Sequence, residues 1–168
     1  MRARTQEHPT HEPLISRATL AEVPLTGLSL ILYAEHRLSR HHDQAKAWWD
    51  AQRSGTADFG LAWQVINGFL GISTNPRILT NPLSRVEAVA RVDRWLKQPC
   101  VRIVHETRDH WSILSRLVNE ASAAANLIPD ANLAAIAVGH GCTLCSSDRD
   151  FGRFPSVDWH NPLSDESR

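Results

Sequence analysis

The segment Ile128-Pro129-Asp130-Ala131-Asn132-Leu133-Ala134-Ala135-Ile136-Ala137 reads as a helix with an acid in its opening turn. Pro129 suits that turn, where its missing N–H costs nothing. A carboxylate at Asp130 is favoured there by the helix dipole, by about 0.3–1 kcal/mol. The next segment, Cys142-Thr143-Leu144-Cys145-Ser146-Ser147-Asp148-Arg149-Asp150-Phe151, reads as a short buried strand that ends in two acids. Brought together, the two elements place Asp130, Asp148 and Asp150 at one end of a sheet. Hard divalent cations are held by oxygen ligands of this kind. Taken singly, Asp130 is an ordinary first-turn acid and Ser147–Phe151 a polar loop with an aromatic plug. The combination, in this order, is more specific than either part.

Upstream of this pair the pattern repeats. Leu25 to Tyr33 is apolar on both faces except at Thr26 and Ser29, as in a strand covered on both sides. Gly27 is out of place there, because Gly weakens a strand interior. His41 to Arg53 carries a helical apolar stripe through Ala45, Trp48, Trp49 and Gln52, with Gly55 as its stop. Phe59 to Ile72 reads as a second helical stretch with Trp63, Ile66, Phe69 and Leu70 inward. Ser84-Arg85-Val86-Glu87 is a capping box. It opens a helix to about Lys97, whose apolar set is Val86, Val89, Ala90, Val92, Trp95 and Leu96. Val101 to Val104 is a short strand. Thr107 to about Ala124 is the longest expected helix, with Trp111, Leu114, Leu117 and Val118 inward. Val157 to His160 closes the pattern as an edge strand.

Strands alternating with helices in this way imply an α/β fold with a mainly parallel sheet. Ligands in such sheets bind beyond the carboxyl ends of the strands. Asp148 and Asp150 lie just past such an end.

Composition narrows the function classes. Within 168 residues, 18 basic and 18 acidic side chains cancel, which argues against a large non-specific nucleic-acid surface. Three cysteines make an odd count, so a complete disulfide framework is disfavoured and a reducing, cytoplasmic compartment fits. The most apolar run, Leu25 to Ala34, is too short for a membrane span, which takes about 20 residues. A signal peptide is disfavoured, since acids interrupt the long polar stretch before that run.

Other features carry less. Cys142 and Cys145 beside His140 lack the second ligand pair that structural zinc wants, and are read as buried free thiols. Arg149 and Arg153 flank the acids, and could touch phosphates of a ligand or be plain surface charges. The six Trp sit mostly at helical core spacing and are not read as base-stacking platforms.

The residues Asn126 to Ala135, Gly141-Cys142-Thr143-Leu144, Asp148-Arg149-Asp150-Phe151 and Trp159-His160-Asn161-Pro162-Leu163 resemble the second half of PIN-domain ribonuclease toxins of the VapC type. Leu32-Tyr33-Ala34, His41-His42-Asp43-Gln44-Ala45, Gly68-Phe69-Leu70 and Ile72-Ser73-Thr74-Asn75-Pro76-Arg77 resemble the first half. The resemblance implies a PIN-like three-layer α/β/α fold with a mainly parallel central sheet. The expected PIN domain is 23–163, between tails at 1–22 and 164–168. It further implies an endoribonuclease of a type II toxin–antitoxin system, dependent on Mg2+ or Mn2+. A VapB-like antitoxin, an RNA substrate and a homodimer are the expected partners, with no membrane. The family's acids carry over at Asp130 and Asp148, with Asp150 a helper.

The resemblance fails at one place that matters. Aligned on Tyr33 and Ala34, Gly27 stands where the family's first strand carries an Asp, and Ser29 where an Asn follows. Gly68 and Gly71 likewise replace a Glu and an Arg of related branches. Three accounts stay open: an inactive toxin that still binds its partner, a shifted reading frame at the start, or activity persisting with fewer ligands.

Overall fold

The computed structural model describes Leu20, Ala21 and residues 23–164. The expected tails fall almost wholly outside those residues. Five short strands form one parallel sheet: β1 (Leu25–Thr26), β2 (Phe59–Leu61), β3 (Val101–Ile103), β4 (Leu144–Cys145) and β5 (Trp159–His160). Their order is β3-β2-β1-β4-β5, so β1, first in sequence, is central. Leu25 pairs with both Gly60 and Leu144. Every residue of β1, β2 and β4 is buried, whereas the edge strands β3 and β5 are partly exposed. Continuous apolar character is what a strand covered on both faces requires.

Among the described residues, six α-helices flank the sheet: α1 (Leu28–Glu35), α2 (His42–Ser54), α3 (Trp63–Ser73), α4 (Arg85–Leu96), α5 (His110–Glu120) and α6 (Ile128–His140). The architecture is the expected three-layer α/β/α arrangement, and β5 lies at the expected edge. The core is built around Trp49, Trp95, Phe59 and Phe69. Trp95 meets Trp49 edge-on with centroids 5.5 Å apart, and Phe69 at 4.6 Å. Such pairs add about 0.5–1.5 kcal/mol each beyond their burial. Cys100, Cys142 and Cys145 are buried free thiols, as expected.

The structure corrects several boundaries. The run Leu25 to Tyr33 is strand only at Leu25–Thr26; the chain turns at Gly27 and continues as α1. A short apolar run has no period that separates a buried strand from a buried helix. Here the helix wins, because Leu30, Ile31 and Ala34 are buried on a segment packed against α2 and α3. The expected helix Phe59 to Ile72 divides into β2 and α3. Gly60 lies in β2 with its neighbours close: a Cβ there would lie 2.7 Å from Val104 Cγ2, so a larger residue would have to push that side chain aside.

Helix α4 turns Ala88, Val92 and Trp95 inward and leaves Val86, Val89 and Leu96 exposed, which is narrower than the expected apolar set. Helix α5 is shorter than expected and is exceeded by α2 and α6. Its Trp111 is 75% exposed, and Trp63 of α3 is 46% exposed, so neither is the inward residue that spacing suggests. The capping box is present: Ser84 Oγ accepts from Glu87 N–H at 3.2 Å, and Glu87 accepts from Ser84 N–H at 2.9 Å. Ser84→Ala is expected to lower stability by about 1 kcal/mol, read as an earlier midpoint in urea unfolding.

Candidate metal centre

Asp130 stands in the first turn of α6, directly after Pro129. The Pro129 carbonyl accepts from Gln64 Nε2 of α3 at 2.6 Å. Gln64 Oε1 in turn accepts from Asn132 Nδ2 at 2.5 Å, and Asn132 Oδ1 lies 2.9 Å from His110 Nε2 of α5. With the Asn132 amide committed to Gln64, its carbonyl must accept, so His110 carries its proton on Nε2. Three helices thus fix the turn that carries Asp130. Sequence reasoning missed this chain, since its members are far apart. The one available signal was Asn132, polar inside an otherwise apolar helix.

Asp148 and Asp150 follow β4. Asp148 caps a 3-10 turn over Arg149–Arg153 by accepting from Asp150 N–H at 2.9 Å. Its own N–H donates to Ser146 Oγ at 3.1 Å. Ser29, on the first turn of α1, ties the loop down: its Oγ accepts from Ser147 N–H at 3.3 Å and lies 3.2 Å from Ser146 Oγ. The three carboxylates expected from sequence are brought together. One oxygen from each of Asp130, Asp148 and Asp150 lies within 4.8 Å of the others. Oxygen donors this close suit a hard divalent cation. Cys142 and Cys145 belong to no such cluster among the described residues.

Asp130 and Asp148 border a cleft of about 380 Å³ whose apolar lining includes Leu28, Leu32, Val65 and Leu133. Partial burial, and then the charges of Asp148 and Asp150, push the Asp130 carboxyl up to about 6. The sign follows from linkage. The native state holds this proton more tightly than the unfolded chain does, so metal-free stability falls as pH rises from about 4 to about 6. Thermal unfolding across that window, without and with Mg2+, is expected to show the decline without the cation and a smaller one with it.

Gly27 ends β1 and caps α1 in extended conformation. Its N–H donates to Cys145 O at 2.7 Å. A Cβ on Gly27 would lie 2.9 Å from both Cβ and Oγ of Ser146 and 3.1 Å from Cys145 O. The serines therefore close up against a backbone position that has no side chain.

The PIN domain family matches residues 29–157. Ribonuclease VapC37 of Mycobacterium tuberculosis is 37% identical over 138 residues, covering 82% of this chain and 96% of the relative. Ribonuclease VapC31 of the same species is 41% identical over 128 residues, covering 76% and 90%. Among solved structures, VapBC-1 from nontypeable Haemophilus influenzae superposes with a TM-score of 0.63 at 10% identity, over 84% of this chain and 99% of that one. Mycobacterium tuberculosis VapC20, a sarcin-ricin loop cleaving toxin, gives 0.59 at 19% identity, over 80% and 96%. The chain belongs to the PIN-domain family, in its VapC group.

Proposed function

We propose that this chain is an endoribonuclease toxin of a type II toxin–antitoxin system, using Mg2+ or Mn2+ held by Asp130, Asp148 and Asp150. The observation that carries the reading is the convergence of three carboxylate oxygens within 4.8 Å at the carboxyl edge of a parallel sheet. The relatives named as VapC ribonucleases support it.

The donor set fits the cation: three hard anionic oxygens, one of which is driven towards its neutral form by partial burial and then by its charged neighbours. A divalent cation bound there supplies Lewis acidity and lowers the pKa of water. The chain's own part is positional. Gln64, Asn132 and His110 hold the α6 turn, and Ser29, Ser146 and Ser147 hold the Asp148 loop. The cleft beside the acids would hold the RNA strand with its phosphate facing them.

The domain that does this spans 23–163. It pairs with a VapB-like antitoxin and forms a homodimer in the cytoplasm. The antitoxin reading draws support from the VapBC structures among the fold's neighbours. No described helix is long and apolar enough to cross a membrane.

A second reading follows from Gly27. With no carboxylate at the end of β1, the cation has one ligand fewer than the resemblance implies, and cleavage runs below that of an intact relative. In its limit this is an inactive PIN domain that keeps antitoxin binding. Titration with Mn2+, followed by thermal unfolding and by cleavage of a mixed RNA, separates the two. Stabilisation with cleavage supports the first reading. Antitoxin binding with neither effect supports the second.

A further inference from the structure

A second pocket, of about 480 Å³, lies beside the acid cluster and is lined by Arg149, Trp159, His160, Asn161 and Ser164. We propose that it is a subsite for the RNA strand next to the scissile phosphate, with Arg149 taking a backbone phosphate. The proposal rests on the reading of the chain as a ribonuclease.

The fold sets this pocket at the end of β5, beside the end of β4. Cys145 pairs with His160, and Ser146 N–H donates to His160 O at 3.0 Å, so β5 ends level with the strand that leads into Asp148. Arg149 sits between Asp148 and Asp150 in sequence, yet forms no ion pair among the described residues. Arg153, by contrast, lies 3.9 Å from Asp150. The Arg149 side chain is exposed and lines the neighbouring pocket instead.

The walls of that pocket are held in place. Trp159 Nε1 donates to Ser146 O at 2.8 Å. Its ring passes close over Gly152, where an added Cβ would lie 3.3 Å from Cζ3. The rim is a closed turn in which Ser164 Oγ donates to Asn161 O at 2.7 Å and Asn161 Oδ1 accepts from Leu163 N–H at 3.0 Å.

The chemistry favours a single RNA strand. An acid cluster alone repels a polyanion, and a guanidinium beside it offsets that repulsion and can grip a phosphate through two N–H donors. A pocket of this size is on the scale of one small ligand, about 300–1,000 Å³. Duplex RNA is instead read by shape across a wide groove.

The test is fluorescence anisotropy with a short unstructured RNA oligonucleotide in EDTA, over a salt series, using the full chain. Arg149→Ala is expected to weaken binding about fivefold and to flatten the logarithmic salt slope by about 0.7, one phosphate contact on a single strand. Arg149→Lys should keep the slope, and Arg85→Ala on α4 should bind as the parent does. If the parent binds and Arg149→Ala matches its affinity and slope, the subsite is overturned while the ribonuclease reading stands. Should Arg149→Ala weaken an antitoxin peptide but not RNA, the pocket is a protein contact and the proposal falls. A parent that binds no RNA overturns the ribonuclease reading, and the subsite with it.

Discussion

Replacing Asp130 with Asn is expected to remove divalent-cation binding and RNA cleavage, while leaving the metal-free protein at least as stable as its parent. The two effects have opposite signs for one reason. In the metal-free protein the Asp130 carboxylate is partly buried and faces the charges of Asp148 and Asp150, which push its pKa up to about 6. A neutral amide of the same shape relieves that repulsion. It also replaces one of the three carboxylates whose oxygens lie within 4.8 Å of one another by an uncharged amide, a far weaker ligand for a divalent cation. At a cation concentration 100 times the dissociation constant, the parent should gain about 2.7 kcal/mol of apparent stability. The variant should gain almost none. Outer partners of metal ligands already cost about 10–100-fold when lost, so losing a ligand should cost more than about 100-fold in turnover. Thermal unfolding with and without Mn2+, and gel-resolved cleavage of RNA, check both halves. An Asp130→Asn chain that cleaves at the parent rate would refute the metal assignment.

Restoring a carboxylate at the end of β1 should work in the other direction. Gly27→Asp is expected to raise cation affinity at least about tenfold, because the charge count of the ligand set tunes affinity over decades. Turnover should rise with it. The gain carries a steric cost, since the new Cβ would meet Ser146 at 2.9 Å and Cys145 O at 3.1 Å. Overpacking of this kind costs about 1–3 kcal/mol, so the metal-free midpoint should fall. Gly27→Ala separates the terms, bringing the crowding without the charge. It should lose comparable stability and leave cation affinity where it was. If Gly27→Asp folds but binds Mn2+ no better than Gly27→Ala, the end of β1 is not the missing ligand position.

What the sequence made legible was local. Asp148 and Asp150 lie on one short loop after an apolar run, and Asp130 opens a helix behind a proline, so their chemistry needs only that the helix and strand be neighbours. The Ser84 capping box is similarly complete within four residues. Where the signal was uniform apolarity, it failed. Leu28 to Tyr33 has no period to read, and only packing against α2 and α3 decides for helix. Trp63 and Trp111 fit a helical stripe, yet both stand exposed in the first turns of α3 and α5. The chain from Gln64 through Asn132 to His110 was illegible because it joins three helices, and pairing at that range leaves no mark on any one segment.

Because β1 pairs on one side with β2 and on the other with β4, the centre of the sheet is stitched from opposite ends of the described chain. Its central contact cannot form until Leu144 has left the ribosome, and by then Asp130 has emerged and Asp148 is close behind. Chains dominated by such distant pairings fold slowly, since loop closure is paid before the contacts reward it. A nascent or truncated chain therefore carries no assembled acid cluster. The acid cluster is therefore among the last features that synthesis completes.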